Sequence, residues 1–207
     1  MTIDALPVNL ETKAFHSNGI TIYFPVVYGL PNPSVEQVIN QKIMICVNSL
    51  IEEQYHEQST THFAEMIGLY EIKTNERNIL SISFSNYAIF PYAAHGLTLM
   101  KSVTINVETG EVYHLSDLFK EDSNYVEVLS SFVAEQIKER NIPVFEEFTT
   151  IQPNQDFYIA DKSLVLYFQL YELTPYVYGF PMFPISVFDL KDIIAEDGAL
   201  AKMATNS

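Results

Sequence analysis

The chain has 207 residues, 26 acidic and 11 basic, for a formal charge of −15. Such a charge repels phosphates, so nucleic acid and anionic membrane surfaces are disfavoured as partners, whereas a basic protein would be attracted. With 48% hydrophobic residues, 14 Phe and 13 Tyr, the chain has ample material for a core. It needs neither disulfides nor a structural metal for stability, and it is not of disordered composition.

The N-terminal stretch MTIDALPVNLETKAF has no basic n-region and no apolar h-region, so it does not read as a signal peptide. No apolar run approaches the roughly 20 residues that a membrane helix needs. As written, the chain is expected in the cytoplasm; the alternative is an exterior domain whose leader lies outside this sequence. Cys46 is the single cysteine, which excludes an intramolecular disulfide.

The first predicted strand is Ile20–Phe24, with Ile20, Ile22 and Phe24 on one face. Gly29-Leu30-Pro31-Asn32-Pro33 interrupts regular structure, and Ser34 and Gln37 have the spacing of a capping box. A helix is predicted over about 34–54, its apolar stripe formed by Val35, Val38, Ile39, Ile43, Cys46, Leu50 and Ile51. On that stripe Cys46 is expected to be a packed, inert thiol.

From His62 to Tyr92 the pattern gives two strands around the turn Thr74–Asn78. In the second, Leu80, Ile82 and Phe84 alternate with Ser81, Ser83 and Ser85, predicting one core face and one wet face. A third strand, Thr98–Val107, ends at the turn Glu108-Thr109-Gly110-Glu111; connections this short imply antiparallel pairing. A second helix is predicted over about 124–140, capped by Asp122 or Ser123 and ended by Asn141 and Pro143. After the polar stretch Glu146–Gln155, a hairpin joins Phe157–Ala160 to Ser163–Tyr171 through Asp161-Lys162. Phe183–Ile194 reads as a short strand and a short helix, and 195–207 as a frayed tail.

The expected architecture is therefore α+β, antiparallel sheet covered by two main helices. One compact unit over 1–207 is expected, with subdomains 15–90 and 91–194 as the alternative division.

Motifs that carry chemistry are mostly missing. There is no G-x-S-x-G, and only seven glycines are scattered through the chain, with no phosphate-binding cluster. His16, His56, His62, His95 and His114 form no i, i+4 pair. His56 and His62 lie near Glu52, Glu53 and Glu57, but without ligand spacing they read as a solvated helix end. The adjacent pairs Glu52–Glu53 and Glu146–Glu147 point in different directions and make poor acid–base couples. No catalytic residue, metal site or cofactor is assigned. An active pair could arise only from carboxylates distant in sequence.

One segment stands apart, Tyr167-Phe168-Gln169-Leu170-Tyr171-Glu172-Leu173-Thr174-Pro175-Tyr176-Val177-Tyr178-Gly179-Phe180-Pro181. A strand is expected to carry Tyr167 and Tyr171 opposite Phe168 and Leu170. A loop after Thr174-Pro175 then presents Tyr176, Tyr178 and Phe180. Loop tyrosines bring large contact area at low entropic cost, which suits a protein or sugar interface; they equally suit covering the end of a sheet.

Three stretches carry a family likeness. They are Tyr92-Ala93-Ala94-His95-Gly96 with the strand Ser102–Gly110, then Leu115-Ser116-Asp117-Leu118-Phe119, then Phe157-Tyr158-Ile159 through Tyr171–Gly179. They resemble a domain of unknown function in the extracellular part of RsiV-type anti-sigma factors, the lysozyme sensors of Gram-positive bacteria. The same domain accompanies PdaC-type peptidoglycan deacetylases. Tyr23-Phe24-Pro25 and the helix containing Asn40 are similar to its companion domain, so the likeness spans about Ile20 to Ile194.

The resemblance implies an α+β fold and a non-enzymatic binding role, toward a basic protein such as lysozyme or toward cell-wall peptidoglycan. Neither a sigma-binding segment nor a deacetylase domain is visible, so signalling by cleavage is not implied. The residues expected to contact the ligand are His95, Tyr171, Tyr176, Tyr178 and Phe180. The alternatives are an intracellular regulatory protein acting as a homodimer and, third, a glycan-active enzyme.

Overall fold

The computed structural model describes residues 7–205. The chain divides into two compact units, one ending at Val112 and the other beginning at Tyr113. The division falls beyond the 90/91 boundary drawn from sequence. The strand after that boundary pairs along its length with the strand before it and so belongs to the first unit.

The first unit is a five-stranded sheet with strands β1 (Asn9–Ser17), β2 (Ile20–Tyr28), β3 (Glu65–Glu76), β4 (Ile79–Ile89) and β5 (Leu97–Asn106), ordered β1-β2-β3-β4-β5. Pairing is antiparallel except between β2 and β3, which run parallel where Ile20–Ile22 meets Met66–Gly68. The helix α1 (Pro33–Glu57) makes that parallel crossover geometrically accessible. The β3–β4 hairpin closes through Arg77 and Asn78, both left-handed (φ 52° and 60°), a geometry whose twist matches that of paired strands.

Helix α1 buries Ile39, Ile43, Val47 and Leu50 against Ile22, Met66, Leu80, Ile82, Phe84 and Val103. Three amide side chains fasten it to the sheet. Asn40 accepts from the Val27 N–H and donates to the Val27 carbonyl, both at 2.8 Å. The buried Gln54 donates to the carbonyls of Asn86 (2.6 Å) and Leu97 (3.1 Å), and Gln58 to that of Ala88 (3.0 Å). These bonds satisfy strand carbonyls that would otherwise be stranded beneath a helix.

Several expectations are corrected here. The helix cap is Asn32, whose side chain accepts from the Ser34 N–H (3.1 Å), rather than a Ser34–Gln37 box. Cys46 is half-buried at the core margin. Ser81 and Ser83 are buried, not wet; the Ser81 and Thr104 hydroxyls satisfy each other across the strands at 2.8 Å.

In the second unit a 3₁₀ turn at Leu115–Leu118 precedes α2 (Tyr125–Glu139). A three-stranded antiparallel sheet follows, ordered β6 (Phe157–Ala160), β7 (Ser163–Tyr167) and β8 (Met182–Ser186). Helix α2 has Asn124, rather than Asp122 or Ser123, at its N-cap position, and it ends where Asn141 turns left-handed (φ 50°). It packs on β8, where Gln136 donates to the Pro184 carbonyl (2.9 Å) and Arg140 to that of Met182 (2.7 Å). The Arg140 guanidinium also lies 5.5 Å from the Phe183 ring centroid.

Strand β7 stops at Tyr167, four residues short of its predicted end, and this moves Tyr171 off the sheet. No helix follows β8 within 187–194; the short helix is instead α3 (Ala199–Ala204), inside the stretch read as a tail. There Ala199, Leu200 and Met203 are buried, so apolar packing holds the segment. Among the described residues, no helix is long and apolar enough to cross a membrane.

Candidate functional site

Between α2 and β6 the chain runs from Asn141 to Asp156 without regular structure. Connections this long inside a compact unit commonly serve function. This one is held in place: the Ile151 N–H donates to Ser130 Oγ (3.0 Å), the Tyr125 hydroxyl to the Pro153 carbonyl (2.9 Å) and the Phe145 N–H to the Leu173 carbonyl (3.1 Å). The last bond sets the loop beside the aromatic segment.

Together the two segments line an open cavity of about 570 Å³, formed by Phe145, Glu146, Glu147, Phe148, Gln155 and Glu172, among others. Phe148 meets Phe168 edge-on at 6.2 Å, and Phe168 meets Phe183 edge-on at 5.6 Å, so the apolar wall is continuous with the core. Three carboxylates line the cavity and no Lys or Arg does. Its floor is ordered by Gln155, whose amide donates to the Tyr167 carbonyl (2.8 Å).

Glu172 has the most informative chemistry. Its Oε2 accepts from the Gln169 N–H at 2.7 Å, closing a turn in which the Glu172 N–H donates back to the Gln169 carbonyl (3.2 Å). Partial withdrawal from water pushes its carboxyl above the usual range, and the negative charge of Asp156 adds to that. The bonds from Gln169 and Gln155 act in the opposite direction. A carboxyl so placed is poised to gain from a cation entering the cavity.

Tyr171 is the third residue of the Gln169–Glu172 turn and is left-handed, φ +66°. That position ordinarily takes glycine or asparagine, because a Cβ crowds the carbonyl there. Half exposed (51%), its ring stacks on Tyr176 with centroids 5.4 Å apart and planes at 28°. Tyr176 and Val177 lie on a short 3₁₀ turn ended by Gly179 (φ +78°), and Val177 is almost wholly exposed (92%). Phe145, Tyr171, Tyr176 and Val177 are thus exposed apolar groups carried by the same two segments that line the acidic cavity.

Of the residues singled out from sequence, Tyr171 and Tyr176 come together. Tyr178 and Phe180 are half-buried where the chain returns toward β8. His95 lies in the first unit, in the loop between β4 and β5, with Nδ1 3.2 Å from the Gly96 carbonyl oxygen. The sequence reading missed Phe145, Phe148, Glu172 and Val177. The available signal was the long unpatterned stretch after Pro143, in which Phe145 and Phe148 bracket two glutamates. Among the described residues, no three His, Cys, Asp or Glu side chains gather as a metal site would require.

Fold and cleft define an α+β protein of two compact units whose second unit carries an acidic cavity lined also by Phe145, Phe148 and Phe168. Residues 116–187, which include the aromatic segment and the loop facing it, match a family described as "Protein of unknown function (DUF3298)". The fold is similar to two crystal structures of DUF3298 proteins. One, from Bacteroides fragilis NCTC 9343, has a TM-score of 0.70 at 13% identity, covering 98% of this chain and 100% of that one. The other, from Pseudomonas aeruginosa PAO1, has a TM-score of 0.65 at 14% identity, covering 99% of each chain. At such identities the likeness is one of fold. No curated protein matches the sequence.

Proposed function

We propose that the chain is a non-enzymatic binding module whose second unit receives a basic segment of a protein partner. The observation that carries this reading is the pairing of exposed Phe145, Tyr171, Tyr176 and Val177 with a cavity holding Glu146, Glu147 and Glu172 and no lining cation. A lysine or arginine entering it would meet carboxylates and aromatic rings together, and guanidinium groups favour both. The charge of −15 would steer such a partner from a distance and reject acidic ones. The sequence likeness to lysozyme-sensing proteins makes a basic lysozyme the first partner to try.

Immobilised lysozyme, titrated with the protein at low and physiological salt, tests this. Saturable binding that survives about 0.15 M salt supports the module, because longer-range attraction between exposed charges is largely screened there. Retention only at low salt would reduce the acidity to a nonspecific effect. Insoluble peptidoglycan serves as a parallel ligand, and light scattering of the free protein checks for a homodimer using the same exposed apolar groups.

A second reading rests on Glu172 itself, a carboxyl whose pKa is raised by partial burial and by a second acid, Asp156. That arrangement is compatible with a general acid acting on a glycan. Turnover of peptidoglycan fragments that Glu172→Gln abolishes would favour the enzyme over the module.

A further inference from the structure

From Asn78 to Met100 the sequence contains no Asp, Glu, Lys or Arg, in a protein with 18% charged residues. The loop joining β4 to β5 lies inside this uncharged stretch. It opens with a turn over Phe90-Pro91-Tyr92-Ala93, closed by the Ala93 N–H donating to the Phe90 carbonyl (3.2 Å). Pro91 occupies the second position and Tyr92 the third, where φ is +65°. Proline followed by a left-handed residue is the signature of a type II turn, whose third position calls for glycine.

Tyrosine stands there instead, and its ring is fully exposed (105%). An aromatic residue in left-handed backbone is disfavoured, and here burial offers no compensation within the unit. Tyr171 occupies the same turn position with φ +66°, but it has the Tyr176 ring to stack on. The far end of the loop is fixed by close approach. A Cβ on Gly96 would lie 2.4 Å from the Tyr87 ring and 2.7 Å from the Ala88 carbonyl oxygen. The loop therefore presents Tyr92 from two anchored ends.

We infer that Phe90–Gly96 is a second binding site, separate from the acidic cavity, and that it takes an uncharged sugar ring stacked on Tyr92. The loop holds no Asp, Glu, Lys or Arg to pair with a charged ligand. The large apolar side chains it exposes are Phe90 and Tyr92, far short of the roughly 800 Å² that each partner contributes to a stable protein interface. A single ring flanked by Pro91, Ala93 and Ala94 is open to the apolar C–H face of a pyranose. The Tyr92 hydroxyl and the His95 imidazole supply hydrogen-bonding groups for sugar hydroxyls.

The test uses the whole protein with carbon-13-labelled tyrosine rings, titrated with uncharged β-linked oligosaccharides, chitopentaose and cellopentaose, and followed by NMR. The expected result is a saturable shift of the Tyr92 ring resonances. Tyr92→Gly should weaken that binding at least about tenfold, equivalent to 1.4 kcal/mol, while leaving the thermal midpoint equal or higher. Glycine fits the turn, so a folding failure cannot imitate loss of the site. Tyr171→Gly should leave the sugar affinity unchanged, which separates this site from the cleft proposed for a basic protein. Unmoved Tyr92 resonances at millimolar sugar, or wild-type sugar affinity in Tyr92→Gly, would overturn the inference. Loss of lysozyme binding rather than sugar binding in that variant would also overturn it, assigning the loop to a protein.

Discussion

Replacing Tyr171 by glycine separates a binding role from a structural one. About half of the residue is exposed. A tyrosine side chain offers roughly 200 Å², so about 100 Å² is open to a partner, worth up to about 2.5 kcal/mol at 25 cal/mol per Å². Allowing for incomplete coverage, the loss should be about 2 kcal/mol, or about thirtyfold in Kd.

On the stability side, three terms partly offset one another. Glycine relieves the left-handed tyrosine of about 1 kcal/mol. It forfeits the stack on Tyr176, about 0.5–1.5 kcal/mol, and adds backbone entropy to the unfolded chain, about 0.5–1 kcal/mol. The net change should be a loss of no more than about 1.5 kcal/mol, a fall of at most about 5 °C in a protein of this size. Calorimetric titration with lysozyme and urea denaturation read the two quantities independently. Unchanged affinity would remove Tyr171 from the contact surface. A stability loss above about 3 kcal/mol would show that the ring is core and that the strain argument fails.

The remaining expectations follow the same logic. Because burial raises the Glu172 pKa in the folded state, the stability it confers is fully present below the ordinary carboxylate pKa and is lost as pH rises through the folded value. Glu172→Gln should therefore gain stability over the parent as pH is raised from acid to neutral in urea melts, while lysozyme affinity falls. Thr174 is fully buried with its hydroxyl unpartnered, so Thr174→Val should be neutral or stabilise by up to about 1 kcal/mol in the same assay. Asn40→Ala removes both bonds to the Val27 backbone and should destabilise by about 2–3 kcal/mol, with hydrogen exchange accelerated at the Val27 amide.

The fold was most legible where one face of an element is apolar. The stripe through Ile39, Ile43 and Leu50 placed α1, and the alternation of Leu80, Ile82 and Phe84 placed β4. Strand β1 escaped because seven of its residues in succession, from Glu11 to Ser17, are exposed, leaving no apolar alternation to detect. The serines of β4 misled for the converse reason. Polar alternation predicts water, but a hydroxyl can be buried once another hydroxyl answers it, as Thr104 answers Ser81. The Asn32 cap and helix α3 depended on bonds and packing that residue spacing does not encode.

The candidate site was legible in its residue types and less so in its geometry. A run of tyrosines after Leu170 announces a surface rich in contact area, but alternation assigned Tyr171 to a strand that has already ended at Tyr167. Turn chemistry explains why the error was built in. The rule for the third position of such a turn expects glycine, so a tyrosine there argues against a turn when only sequence is read. The bonds Ala93 to Phe90 and Glu172 to Gln169 reveal both turns, and both carry tyrosine at that position. One such substitution could be incidental to packing. Two, one in each unit and both exposed, are better explained by a shared requirement to project an aromatic ring from anchored backbone. The residue that conflicts with its local conformation thus becomes the sharper guide to function, since the left-handed backbone alone would have favoured glycine at both positions.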